Sequence, residues 1–147
     1  MQVREILARR RHEVLTIAPE RTVQSAAALL AQQGACALVV VDGGRAVRGI
    51  FTAHDLVRAC AAEPASLGKV RVEEAMAPEL MTCQARDHLQ AVEALMRERG
   101  IHHLPVLEGR ALSGVISLSE VLAALYETAR DDADDLRDHL AGHYVVC

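Results

Sequence analysis

Gly49-Ile50-Phe51-Thr52-Ala53-His54-Asp55 and Gly114-Val115-Ile116-Ser117-Leu118-Ser119-Glu120 are two copies of one phrase: a glycine, two apolar residues, a hydroxyl residue, two more residues and an acid. Each copy closes an apolar run and opens a helix-like stretch. The match continues backwards: Leu15-Thr16 pairs with Met81-Thr82, Gly34 with Gly100, Leu38-Val39-Val40-Val41 with Leu104-Pro105-Val106-Leu107, and Gly44-Arg45 with Gly109-Arg110. The offset is 66 residues from Gly34 to Gly100 and 65 from Gly49 to Gly114, so one residue is missing from a turn of the second copy. Repetition on this scale predicts two copies of one structural unit, related by a pseudo-two-fold axis, with a cleft between them.

Each copy reads as strand, helix, strand, strand, helix. In the first, Val14 to Ile17 is a short strand and Thr22 a helix cap. Val23, Ala26, Ala27 and Leu30 share one helical face, and Gly34 ends that helix. Ala37 to Val41 has the continuous apolar character of a strand covered on both sides. Asp42-Gly43-Gly44 turns the chain into the returning strand Ala46 to Phe51, and Ala53 to Ala61 is the second helix. The second copy places a strand at Met81 to Gln84 and a helix capped by Asp87, with Gln90 completing a capping box and Gly100 stopping it. A hairpin follows from Leu104–Leu107 through Glu108-Gly109 to Ala111–Ser117, with Pro105 at the start of its strand. Val72 to Met76 mirrors Val3 to Leu7 as a short lead-in, and 63–70 is the linker. The expected fold class is α+β: two β-α-β-β-α repeats (1–66 and 67–125) packed by pseudo-two-fold symmetry, plus a C-terminal helical extension (126–147).

Composition excludes several functions. The chain has 147 residues, 51% of them hydrophobic, yet no Trp, one Phe and two Tyr, so base stacking on nucleic acid is not expected. A net charge of −4 argues the same way, despite the basic run Arg9-Arg10-Arg11-His12. No apolar stretch reaches membrane-spanning length, and the N-terminus lacks a signal core. Cys36, Cys60, Cys83 and Cys147 form no close pair and read as reduced thiols, so a cytoplasmic location is expected.

Leu122, Leu125, Tyr126, Ala129, Ala133, Leu136 and Leu140 continue at spacings of three and four past the second repeat. Asp131, Asp132, Asp134, Asp135 and Asp138 occupy the other face. This predicts a long amphipathic helix ending near Gly142, whose stripe either lies on its own domain or, the reading favoured here, pairs with a second subunit. The tail Tyr144 to Cys147 is not placed.

The repeated turn has two readings. As local structure it is a capping box, which suits Ser117 and Glu120 well and Thr52 and Asp55 less well, Asp being short for the reach back. As a site it is a nucleotide cradle. Free N–H groups at a helix start favour phosphate, and a carboxylate in the first turn can accept from both hydroxyls of a ribose.

The duplicated unit, Thr16 and Thr82, the His103-Leu104-Pro105-Val106 run and the two turns together resemble a tandem pair of CBS (cystathionine-β-synthase) domains of the small bacterial stand-alone type, over residues 1–125. The resemblance implies a regulatory module binding an adenosine-containing ligand: AMP, ADP or ATP first, with S-adenosylmethionine or NAD as further candidates. It implies a main site in which Asp55 holds the ribose diol and Thr52 approaches ribose or phosphate. Thr16, with Ile17 and Pro19, would lie near adenine, and His102 and His103 of the other repeat would face phosphate. A weaker site would use Thr82, Ser117, Glu120, Cys36 and Ala37, weakened by the longer Glu120 and by Cys36-Ala37 standing where the main site has two imidazoles. Arg48, Arg58 and Arg110 are candidates for phosphate contact.

No zinc-ligand spacing, Gly-x-Ser-x-Gly turn or phosphate-loop lysine is present, and Gly142 interrupts the pair His139 and His143, so neither a metal nor catalysis is expected. The partners expected are an adenine nucleotide, a second copy of the chain and an unidentified client protein, with no nucleic acid and no membrane. No cofactor is required. The alternative is a ligand-free module serving assembly only.

Overall fold

Leu38, Val39 and Val40 are β-branched or bulky and have no solvent exposure, as a strand covered on both faces requires. They anchor β2 (Ala37–Val41), the centre of a three-stranded sheet with parallel β1 (Thr16–Ile17) and antiparallel β3 (Val47–Thr52). The computed structural model describes residues 1–9 and 13–132. A second sheet repeats the plan, with β5 (His103–Glu108) between parallel β4 (Cys83–Gln84) and antiparallel β6 (Ala111–Ser117). The helices are α1 (Val3–Ala8), α2 (Val23–Gln33), α3 (Ala53–Ala62), α4 (Val72–Ala75), α5 (Leu89–Arg99) and α6 (Leu118–Asp132), with a 3-10 turn at Pro64–Ser66. The class is α+β, as the sequence predicts.

The helix stops fall where expected. Gly34 and Gly100 cap α2 and α5 with φ of 59° and 65°, a left-handed conformation cheap only for glycine. The missing residue is also accounted for. Both hairpins carry a register shift at the equivalent place, Val40/Val41 and Val106/Leu107. Five residues then separate Val41 from its partner Val47, but four separate Leu107 from Leu112.

Two local expectations need correction. The first strands of both copies are shorter than expected: β1 begins at Thr16, not Val14, and β4 at Cys83, not Met81, so Thr82 lies just outside it. In the first copy the Val39 N–H donates to the Leu15 carbonyl at 2.9 Å. Pro105 stands where Val39 does and has no N–H to give, and the pairing of β4 with β5 starts one residue later, at Cys83 and Val106, than that of β1 with β2. Secondly, α5 is capped by His88, without a side-chain bond, and not by Asp87. The Asp87 carboxylate instead accepts from the Gln84 N–H at 2.9 Å and braces the turn after β4. Thr22 does cap α2, its hydroxyl accepting from the Ser25 N–H at 3.1 Å.

The chain forms two compact units. One is Glu13–Thr82; the other combines residues 1–9 with 83–132. The repeats are therefore consecutive in sequence but trade their lead-in helices. A helix start leaves its first N–H groups without partners inside the helix. Those of α1 find the second repeat: Val3 donates to Asp87 O at 3.0 Å and Arg4 to Ala85 O at 2.8 Å. Those of α4 find the first repeat: Val72 donates to Arg21 O at 2.7 Å and Glu73 to Pro19 O at 3.2 Å. The core of the 13–82 unit gathers Val23, Leu30, Leu38, Val40, Phe51 and Val72. Burying a side chain such as Phe51 contributes about 1.5–3 kcal/mol.

Cys60 and Cys83 are free thiols, but Cys36 is disulfide-bonded, which corrects the reading of four reduced cysteines. Burial, then the charge of Asp87, pushes the Cys83 thiol up to about 12. The helix α6 is described to Asp132. The predicted stripe and acidic positions beyond it, Gly142, the His139/His143 pair, the tail and residues 10–12 of the basic run lie outside the described residues.

Candidate nucleotide site

Among the described residues, five carboxylates reach back to the backbone N–H three residues earlier: Glu5, Asp55, Glu74, Asp87 and Glu120. Those of Glu5 and Glu74 are exposed. Asp55 is different, because its side chain is only 8% exposed. Among the described residues it is the one buried carboxylate. A cap needs no such burial, and a buried charge is costly unless paired and hydrogen-bonded.

The partners of Asp55 are specific. Its Oδ2 accepts from the Thr52 N–H at 2.9 Å and the Thr52 hydroxyl at 3.1 Å. The same hydroxyl accepts from the Asp55 N–H at 3.3 Å. The capping box is therefore complete, although Asp55 was expected to suit it less well than Glu120 does. Thr52 sits in the extended conformation usual for an N-cap, at φ −111° and ψ 165°. The other oxygen, Oδ1, accepts from the guanidinium of Arg58, one helical turn further on. Sequence spacing of i and i+3 carried that signal, but the contact was not foreseen.

The second copy of the turn is built the same way. Glu120 Oε1 accepts from the Ser117 N–H at 3.1 Å and the Ser117 hydroxyl at 3.0 Å, and the Glu120 N–H donates back at 3.2 Å. Ser117 also lies 3.1 Å from the Ser119 hydroxyl. Position 123, equivalent to Arg58, is alanine.

Thr16 and Ile17 line a groove of about 610 Å³ beside β1 and α2, together with Ala18, Arg21, Ser25 and Gln32 among others. Thr52 and Asp55 are not on its wall. Arg21, which bonds the Ser25 hydroxyl at 3.3 Å, was not singled out from the sequence. Pro19 is buried, and its carbonyl is held by Glu73. Arg48 lies 3.9 Å from Asp42 at the hairpin turn.

Residues 36 and 102 are repeat equivalents in structure as well as in sequence. Cys36 O accepts from the Ala53 N–H, and His102 O from the Leu118 N–H, both at 2.9 Å. His102 is exposed, whereas His103 is buried at the first residue of β5, so the two imidazoles are not an equivalent pair. Ala37 opens β2. Among the described residues no three His, Cys, Asp or Glu side chains gather to hold a metal. No helix among them is long and apolar enough to cross a membrane.

The family model for the CBS domain matches this chain twice, at residues 3–62 and 72–127. The chain belongs to the CBS-domain family. Its two CBS repeats are similar to those of the CBS domain-containing protein YhcV of Bacillus subtilis, 29% identical over 109 residues, 74% of this chain and 76% of that protein. A CBS-domain containing protein from Agrobacterium tumefaciens has a similar solved structure, with a TM-score of 0.78 and 32% identity over 85% of this chain and 99% of that one. A further CBS domain pair, protein MJ0100, was solved in complex with 5′-methylthioadenosine and S-adenosyl-L-methionine. It shares the fold at a TM-score of 0.73 and 22% identity, over 88% of this chain and 98% of that one. The candidate contact residues divide by unit. Thr16, Ile17, Pro19, Thr52, Asp55, Cys36, Ala37 and Thr82 belong to the 13–82 unit, and His102, His103, Ser117 and Glu120 to the other.

Proposed function

We propose that this chain is a regulatory module, not an enzyme, that binds an adenosine-containing ligand, with AMP, ADP and ATP as the first candidates. The observation that carries this reading is the buried carboxylate of Asp55, fixed at the start of α3 beside the Thr52 hydroxyl. A carboxylate so held is suited to a ribose diol, and the helix N-terminus to phosphate. Thr16, Ile17 and Pro19 are proposed for adenine, and His102 and His103 as further contacts. Thr82, Ser117, Glu120, Cys36 and Ala37 are proposed as the weaker set. The adenosyl ligands of the MJ0100 CBS pair support the ligand class and leave S-adenosylmethionine on the candidate panel.

Calorimetric titration with AMP, ADP, ATP, S-adenosylmethionine and NAD tests the reading. Binding by the wild type that is lost in Asp55→Ala supports it. Absence of binding to every ligand, with no rise in thermal midpoint, favours the alternative of a module that only mediates assembly. The complete capping box at Thr52 and Asp55 is the observation in favour of that alternative.

A homodimer acting on a client protein is part of the proposal. Val57 on α3 and Leu122 on α6 are 62% and 40% exposed, and they occupy the same position of the two repeats. A large apolar side chain left exposed on the second helix of each repeat suits self-association. The cytoplasm is the compartment proposed, on the free thiols of Cys60 and Cys83, with the bridged Cys36 the observation against it.

A further inference from the structure

We infer that Arg58 is a phosphate-reading switch: it holds Asp55 until a ribose diol takes its place, and then transfers to the ligand's phosphate. The inference rests on the adenosyl-ligand reading above and adds the residue that decides between nucleoside and nucleotide.

The argument is a count of acceptor positions. A carboxylate offers about four lone-pair sites. The Thr52 N–H and hydroxyl occupy Oδ2, and the Arg58 guanidinium occupies one position on Oδ1. One position is left, but a diol brings two O–H donors. The diol is taken up in full only when Arg58 lets go. Arg58 cannot leave for nothing, because Asp55 is buried and loss of its counterion would strand a charge. Two ribose hydroxyls replace the hydrogen bond that the guanidinium gave Oδ1, and the guanidinium stays nearby on the phosphate.

The guanidinium is able to make the exchange. The Arg58 side chain is 59% exposed and sits in the first two turns of α3, tethered beside the same helix start. Once released it presents a planar fork that matches a phosphate in two-point contact. Ala123 stands at the equivalent place in the second repeat, so the device belongs to the first repeat only.

The experiment is calorimetric titration of adenosine, AMP and 2′-deoxy-AMP into the full chain as wild type, Arg58→Ala and Arg58→Lys, with circular dichroism to check folding. The wild type is expected to prefer AMP to adenosine, and AMP to 2′-deoxy-AMP. Arg58→Ala is expected to lose AMP affinity about tenfold while adenosine binds no worse. Arg58→Lys is expected to recover part of the AMP affinity. Equal losses for adenosine and AMP in Arg58→Ala, as a purely structural arginine would give, overturn the switch and leave the adenosyl reading standing. No heat from any of the three ligands with the wild type overturns both.

Discussion

Gly114 lies directly beneath Leu7. A Cβ on Gly114 would come within 2.9 Å of Leu7 Cδ2, and a Cβ on Gly49 within 3.0 Å of Met76 Sδ. The two glycines are repeat equivalents, and Leu7 and Met76 are the equivalent ends of the two lead-ins. Each lead-in thus packs against the glycine of the repeat it did not precede. Gly114→Ala is expected to destabilise the chain by about 1–3 kcal/mol, read from urea unfolding. Gly49→Ala should cost less, because a Met side chain yields more readily. The double variant Gly114→Ala with Leu7→Ala should fall short of the summed single effects, and strict additivity would exclude the contact.

The two long first helices of the repeats are capped unequally. Thr22 makes a side-chain cap on α2, whereas His88 makes none on α5 despite the same extended backbone. Thr22→Ala should therefore cost about 1 kcal/mol, and His88→Ser should gain up to about 1 kcal/mol. Chemical denaturation of both variants checks the pair. A loss in His88→Ser would show that the imidazole has a role beyond the cap.

Stability should fall in alkali through Cys83. Its folded-state value is raised to about 12 from 9.0, so below pH 9 the thiol is protonated whether folded or not. Between pH 9 and about 12 only the unfolded chain releases the proton, and the folded state loses its advantage. Thermal midpoints should drop more steeply over pH 9–11 in the wild type than in Cys83→Ala. Parallel slopes would rule the residue out. At pH 8, Cys60 should be alkylated well before the buried Cys83.

Self-association should depend on the paired exposed side chains. Val57→Glu and Leu122→Glu are each expected to shift the chain toward monomer in sedimentation equilibrium, with little effect on unfolding free energy. A wild type that is monomeric at tens of micromolar, or variants that associate as it does, would remove the proposed role of these side chains in self-association.

Much of this fold was legible because its determinants are local. Gly34 and Gly100 announce the helix ends, Ala37–Val41 announces a buried strand, and the 66-to-65 change in offset announces a shorter hairpin. Errors came where a nearby competitor won. Asp87 looked like a helix cap, yet the Gln84 N–H behind it was the donor it reached. Pro105 looked harmless at a strand start, yet it cannot make the equivalent of the bond that Val39 gives to Leu15. At the candidate site, the Thr52–Asp55 turn could be read from its residue types. The hold of Arg58 on Asp55 and the unequal exposure of His102 and His103 could not.

What the amino-acid order determined by itself is the doubled unit, its helix starts and stops, and the acid that closes each repeated turn, because each is set by a few neighbouring residues. What only the tertiary structure decided is which repeat receives which lead-in and which acid is buried. Both depend on groups far apart in the chain. The orphan N–H groups of α1 and α4 had to meet carbonyls of the other repeat, and Asp55 had to be shut from water with Arg58 as its counterion.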